Sequence, residues 1–147
     1  MEKSSGTYAL ILEAATGFEV TVGKRGQLHG RPGWYAYVGS AFGPGGVKAR
    51  VQHHAHAARC PHWHIDHLRR VLPLKAVWYT HDPLKREHEW ACLLARMAGA
   101  AVPFAGFGAS DCTCAAHLIY FEGFPSFRAF RKSLSSSKVK TAAVLLS

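Results

Sequence analysis

Acidic residues are scarce in this chain. Nine Asp and Glu stand against 18 Lys and Arg, leaving a formal net charge of +9 with the ten histidines neutral. With a pI near 9.7, that imbalance argues for a polyanionic partner, nucleic acid first. Cysteine is also sparse, only Cys60, Cys92, Cys112 and Cys114. They do not form a disulfide framework, because a chain of 147 residues that is 48% hydrophobic can bury a core without staples. No apolar run is long enough to span a bilayer, and Tyr8 to Leu12 is far too short for a secretory core. The first residues, Met1-Glu2-Lys3-Ser4-Ser5, lack a basic stretch followed by a long apolar one. A cytoplasmic protein with reduced thiols is therefore expected. No internal repeat is present, so a solenoid is excluded.

What is present reads as one domain over residues 1–132, with a Ser/Lys-rich tail over 133–147 expected to be mobile or an oligomer contact. Tyr8-Ala9-Leu10-Ile11-Leu12 is continuous and apolar, as in a strand buried on both faces. Thr16-Gly17 is a turn, after which Phe18, Val20 and Val22 alternate with polar residues, so the two runs read as a hairpin. A Gly-rich basic loop over 23–33 carries Lys24, Arg25 and Arg31, and Trp34 to Val38 is the third strand. Gly43-Pro44-Gly45-Gly46 breaks the chain before a helix whose stripe is Val47, Val51, His54 and Ala58, with Arg50 at its edge. A short helix over 63–72, a strand over 74–79, a helix over 84–98, a strand over 117–121 and a short helix over 125–132 follow. The fold class is α+β, with a small, mainly three-stranded antiparallel sheet flanked by helices and an extra C-terminal strand and short helix.

Several side chains carry chemistry in this frame. Tyrosines at strand ends, here Tyr8 and Tyr37, present hydroxyls that can position or deprotonate a water, though each is also an ordinary sheet aromatic. Arg50 can pair with a phosphate and offset charge in a pentavalent transition state. Glu87 shares a helical stripe with Ala91, Leu94 and Ala98, so it points along the buried face, where a carboxylate needs a cation or a buried partner, although a glutamate at a helix start is also favoured by the macrodipole alone. Glu89, with Lys85 and Arg96 nearby in sequence, reads as one half of a surface ion pair and is the alternative metal ligand. His64 and His67 lie one turn apart and can share a site, and Asp66 can pair with Arg70. This His-rich segment lacks the two-histidine-plus-glutamate spacing of a zinc hydrolase helix. Cys112, Cys114 and His117 are close enough in sequence to supply three zinc ligands, with His64 or Cys60 as a fourth, although closely spaced thiols are more often small buried residues.

The ordered set of motifs resembles the GIY-YIG nuclease superfamily. Gly6-Thr7-Tyr8, then Tyr37-Val38-Gly39, then Gly45-Gly46 to Arg50 carry the likeness. Trp63-His64-Ile65-Asp66 and the run from Phe107 to Cys114 narrow it to a small branch sometimes fused to endonuclease III-type glycosylases. Thr7 and Val38 stand where the superfamily name has isoleucine, and Glu87-His88 stands where the branch tends to read Glu-Cys. The resemblance covers roughly residues 5–125. It implies a three-stranded antiparallel sheet with helices, and a site of Tyr8, Tyr37, Arg50 and Glu87 with one Mg2+ or Mn2+ ion.

The function expected from these features is a metal-dependent endonuclease acting on DNA. Glu87 holds the metal, Tyr8 or a water it orients supplies the attack, and Arg50 offsets charge. Tyr37 and His53 or His54 position the phosphate, while Lys24, Arg25, Arg31 and Lys48 hold flanking backbone. A non-catalytic nucleic-acid-binding module and a zinc-stapled structural module on Cys112, Cys114 and His117 are the rival expectations.

Overall fold

A strand that is apolar on both faces must be covered on both, and this requirement places the first strand at the centre of the molecule. The structure is a computed structural model, describing residues 1–22, 26–56, 63–104, 107, 116–134 and 140–146. Its elements are β1 (Gly6–Ala14), β2 (Phe18–Thr21), β3 (Gln27–Gly30), β4 (Gly33–Ala41), α1 (Gly46–Ala55), α2 (His64–Arg69), β5 (Leu74–Thr80), α3 (Glu87–Arg96), β6 (Ala100–Ala101), β7 (Leu118–Phe121), α4 (Phe127–Ser133) and β8 (Thr141–Leu145). Six strands form one sheet in the order β6-β7-β4-β1-β5-β8, with every neighbouring pair antiparallel.

Alternation along β1 divides the core in two. Tyr8, Leu10, Leu12 and Ala14 face one side, with Val47 and Val51 of α1 and Ile65 and Leu68 of α2. Ala9 and Ile11 face the other, with Trp90 and Leu94 of α3 and Phe130 of α4. Each fully buried Leu or Ile contributes roughly 1.5–3 kcal/mol by leaving water. Among the described residues, no helix is long and apolar enough to cross a membrane.

The sheet is therefore larger than the expected three strands, and its pairing differs. β1 spends both edges, on β4 and on β5, so it has none left for a hairpin with β2. β2 instead pairs with β3 in a separate two-stranded ribbon, whose Phe18, Val20 and Leu28 pack against the first core. The tail expected to be mobile supplies β8, hydrogen-bonded along the edge of β5 from Thr80↔Thr141 to Ala76↔Leu145. Its residues Thr141-Ala142-Ala143-Val144-Leu145 cover what would otherwise be an open sheet edge along β5.

Glycine is required at two places near the strand ends. Gly39 lies opposite Tyr8 in the β1–β4 register, and a Cβ there would overlap the Tyr8 hydroxyl. Gly46 opens α1 with φ 59°, where a side chain would be strained and would run into the carbonyls of Lys3 and Ser4. The same N-terminal segment caps the helix, since the backbone N–H of Val47 donates to the Ser4 carbonyl at 3.0 Å and that of Lys48 to the Glu2 carbonyl at 3.1 Å.

The overlap at Gly39 predicts that Gly39→Ala costs roughly 1–3 kcal/mol by overpacking against a fully buried ring. Gly123→Ala is the control, because a Cβ there meets nothing within 4 Å. Urea unfolding of both variants measures the difference. Equal stability would mean that the Tyr8 ring does not lie over Gly39.

Candidate active site

The β1–β4 register sets Tyr8 against Gly39 and Tyr37 against Leu10, so the two tyrosines are diagonal neighbours on one face of the sheet. α1 crosses that same face. Its stripe buries Val47, Val51 and His54, which aims His54 at the tyrosines. The Tyr8 hydroxyl lies 3.0 Å from His54 Nε2 in a buried contact, and the His54 and Tyr37 rings meet edge to face at 6.5 Å. Arg50, one turn earlier on α1, donates through Nη1 to the Ser40 carbonyl at 3.2 Å, and its charge favours the ionised form of Tyr8. Its guanidinium lies over the Trp63 ring at 4.5 Å, which fixes the head group between sheet and helix.

Behind His54 stands Asp66, a residue that the sequence reading placed in a local pair with Arg70. It is instead buried, at 1% exposure. Its Oδ2 accepts the backbone N–H of Trp63 at 2.9 Å, capping α2. Its Oδ1 lies 3.0 Å from His53 Nε2 and 3.8 Å from His54 Nδ1. Capping fixes Asp66 toward α1, and the helix turn carries Arg70 away to the surface. A short polar residue at the third position of a helix is the sequence signal that would have found this role.

These neighbours settle the direction of the hydrogen bonds. The Asp66 carboxylate faces His54 Nδ1, which leaves Nε2 to accept, so the Tyr8 O–H donates to Nε2. The neutral ring then carries its proton on Nδ1, facing the Asp66 carboxylate rather than setting a lone pair against it. Burial, and next the charge of Tyr37, push the Tyr8 phenol well above its ordinary range; Arg50 opposes both. Tyr37 is raised by burial and then by Glu87. Burial pushes His54 down to about 4, with Asp66 acting in the opposite sense.

Glu87 opens α3, and its charge bears on both tyrosines. The turn before it is well held. The backbone N–H of Arg86 donates to Thr7 Oγ1 at 3.2 Å, the Arg86 side chain binds Asp82 at 2.6 Å, and the N–H of Leu84 donates to Asp82 at 2.9 Å. The Asp82 turn keeps residues 84–86 out of the helix, which therefore starts later than expected. Glu87 is not fully buried, as its helix stripe implies; its side chain is 28% exposed and lies 3.3 Å from Nδ1 of the buried His117. Glu89 does form an ion pair, but with Arg86 at 3.0 Å rather than with Lys85 or Arg96. A carboxylate facing only a histidine among the described residues suits a hard divalent ion better than one already held by a guanidinium, so Glu87 fits an Mg2+ or Mn2+ ion.

Thus Tyr8, Tyr37, Arg50, His53, His54 and Glu87 are brought together. Arg31 is not, because it precedes β4 at the end away from Gly39, its guanidinium 4.1 Å above the Tyr120 ring. Lys48 is exposed on α1, and His64 faces Phe107 rather than sharing a site with His67. Lys24, Arg25, Cys60, Cys112 and Cys114 lie outside the described residues.

Burial of neutral His54 makes stability depend on pH. The folded value is about 4, below the unfolded value near 6.5. Above pH 6.5 the ring is neutral in both states and contributes nothing to the pH dependence. As pH falls from 6.5 toward 4, the unfolded chain takes a proton that the folded one refuses, and stability falls by about 3 kcal/mol. Urea unfolding of wild type and His54→Gln at pH 7 and pH 4.5, in chelator, should show the steeper loss in wild type. Parallel losses would show that His54 does not titrate this way.

The family model matching the chain describes a domain of unknown function, DUF123, over residues 7–139. No curated protein and no solved structure matches. The matched span takes in every strand and helix from Thr7 to Ser133 and all the residues gathered around Tyr8. The chain belongs to the DUF123 domain family.

Proposed function

We propose that this protein is a metal-dependent endonuclease that cleaves phosphodiester bonds in DNA. The observation that carries the reading is the contact of the Tyr8 hydroxyl with His54 Nε2 at 3.0 Å, with the charge of Arg50 bearing on the same hydroxyl. A tyrosine with a base on one side and a guanidinium on the other is equipped to move a proton beside a phosphate. The resemblance of these residues, with Glu87, to the GIY-YIG pattern supports it, as does the net charge of +9.

In this mechanism water attacks, because Tyr8 is 1% exposed and its phenol is held protonated by burial. The water gives its proton to the Tyr8 oxygen as the Tyr8 O–H proton passes to His54 Nε2. The resulting imidazolium is stabilised by Asp66, which lies 3.8 Å from Nδ1. His54 is neutral at physiological pH and so available as acceptor. Arg50 offsets the added charge on phosphorus, and the partly buried Tyr37 bounds the place where the phosphate sits. A divalent ion on Glu87, when bound, supplies Lewis-acid stabilisation of the phosphate and the leaving oxygen. Lys24, Arg25 and Lys48 are the basic residues we assign to flanking backbone.

A binding module without catalysis is the second reading, favoured by the deep burial of Tyr8. Nicking of supercoiled plasmid with Mg2+ or Mn2+ separates the two. Glu87→Gln should lose cleavage by orders of magnitude, since roughly 1.4 kcal/mol is tenfold in rate and a metal supplies several times that. Most DNA affinity should survive, because backbone contacts lie elsewhere. Glu89→Gln should cost little, as Arg86 keeps its bond to Asp82. Unchanged cleavage in Glu87→Gln would remove the metal from that residue, and no nicking by wild type would leave the binding module.

A further inference from the structure

We infer that His53, His54 and Asp66 form a second metal site, for a zinc-type transition-metal ion, and that filling it switches off proton transfer from Tyr8; the switching half rests on the nuclease reading. The site is separate from Glu87 and built from different donors. One ligand atom from each of the three residues lies within 4.8 Å of the others. His54 Nδ1 is buried and has no hydrogen-bond partner among the described residues. Its 3.8 Å to Asp66 Oδ1 is too long for a hydrogen bond. Ligands with bonds of roughly 2.0–2.1 Å on a tetrahedral ion lie about 3.4 Å apart, a separation bracketed by that distance and by the 3.0 Å from His53 Nε2 to the same oxygen. Small rotations close the three on one ion.

The surroundings support a cation. Asp66 Oδ2 is held by the Trp63 backbone N–H at 2.9 Å, which orients the carboxylate and leaves Oδ1 directed at both imidazoles. His53 is 35% exposed in its side chain, giving the ion a path from solvent and room for a water as fourth ligand. Two imidazoles and one carboxylate suit a borderline ion. Arg50 and Arg69, whose charges bear on His54, disfavour a hard ion held by charge alone.

An ion on His54 Nδ1 takes the position of the proton that faces Asp66. The neutral ring then carries its proton on Nε2, and that N–H donates to the Tyr8 oxygen. The direction of the contact reverses, and His54 can no longer accept from Tyr8. His53 shifts its proton to Nδ1 in the same way, so neither ring changes its net charge. A transition-metal ion at this site is thus an inhibitor of a reaction that an ion on Glu87 supports.

Cobalt(II) chloride is the probe, followed by visible absorption of the full-length protein. Wild type and Glu87→Gln should show d–d bands saturating at one ion per chain, without the near-ultraviolet thiolate band that cysteine ligation gives. His53→Ala, which removes the most exposed ligand, should lose at least tenfold in affinity while circular dichroism stays unchanged. No bands, a thiolate band, or equal affinity in His53→Ala would each overturn the site. In the second arm, cobalt added to magnesium-supported nicking should inhibit wild type at least tenfold. The ratio of rates with and without cobalt in His53→Ala should stay near one. Binding without inhibition of an active enzyme would overturn the switch. Absence of nicking altogether would instead overturn the nuclease reading, and the cobalt bands would still decide the site.

Discussion

The buried contact between the Tyr8 hydroxyl and His54 Nε2 joins the central strand to the helix above it, and the glycines and helices around it hold the two rings in line. Gly39 makes room for the hydroxyl, and Gly46 lets α1 begin against the N-terminal segment at the angle that brings His54 down onto β1. Asp66 secures the far side of the imidazole from a different helix. Such a buried polar pair is costly unless each member finds its partner, because desolvation penalises unmade hydrogen bonds. Here the phenol finds the imidazole at 3.0 Å, and the far nitrogen of that ring faces the Asp66 carboxylate at 3.8 Å, an electrostatic rather than a hydrogen-bonded contact.

The same low-dielectric setting separates the roles of the two carboxylates. Asp66 is sealed at 1% exposure and acts on a histidine, so its charge is spent inside the protein. Glu87 keeps contact with solvent at the mouth of the site and faces a histidine rather than a guanidinium. Arg86 draws Asp82 and Glu89 to itself, which leaves Glu87 as the acidic group offered to a ligand. A chain with few acids and many bases thus positions its rare carboxylates individually. Other acids, such as Glu19 beside His29 and Glu13 beside Lys75, form exposed or half-buried ion pairs away from this cluster.

Much of this was legible in the sequence because period and type agreed. The unbroken run Tyr8 to Leu12 marks a central strand, and the stripe Val47, Val51, His54 correctly turns the histidine inward. The sheet's size was not legible. β8 is short and follows a polar stretch, and its pairing with β5 is a long-range choice that no local pattern encodes. The supposed hairpin failed for a related reason: alternation identifies a strand but not which edge receives it, and both edges of β1 were taken. Asp66 was missed because a nearby arginine offered a simpler partner at helical spacing. Its real partners come from α1, thirteen residues away in the case of His53. The pairing of Glu87 with His117 crosses a segment of the chain whose course no motif predicts.

The central claim is that His54 is neutral, protonated on Nδ1, and accepts the Tyr8 hydroxyl proton. Long-range proton–nitrogen correlation spectra of 15N-labelled protein in chelator at pH 7 read this directly, because the nitrogen shifts of an imidazole report which atom bears the proton. The account predicts the Nδ1–H tautomer for His54 in wild type. A proton on Nε2, or a fully charged imidazolium, would contradict it, because neither form can take a proton from Tyr8.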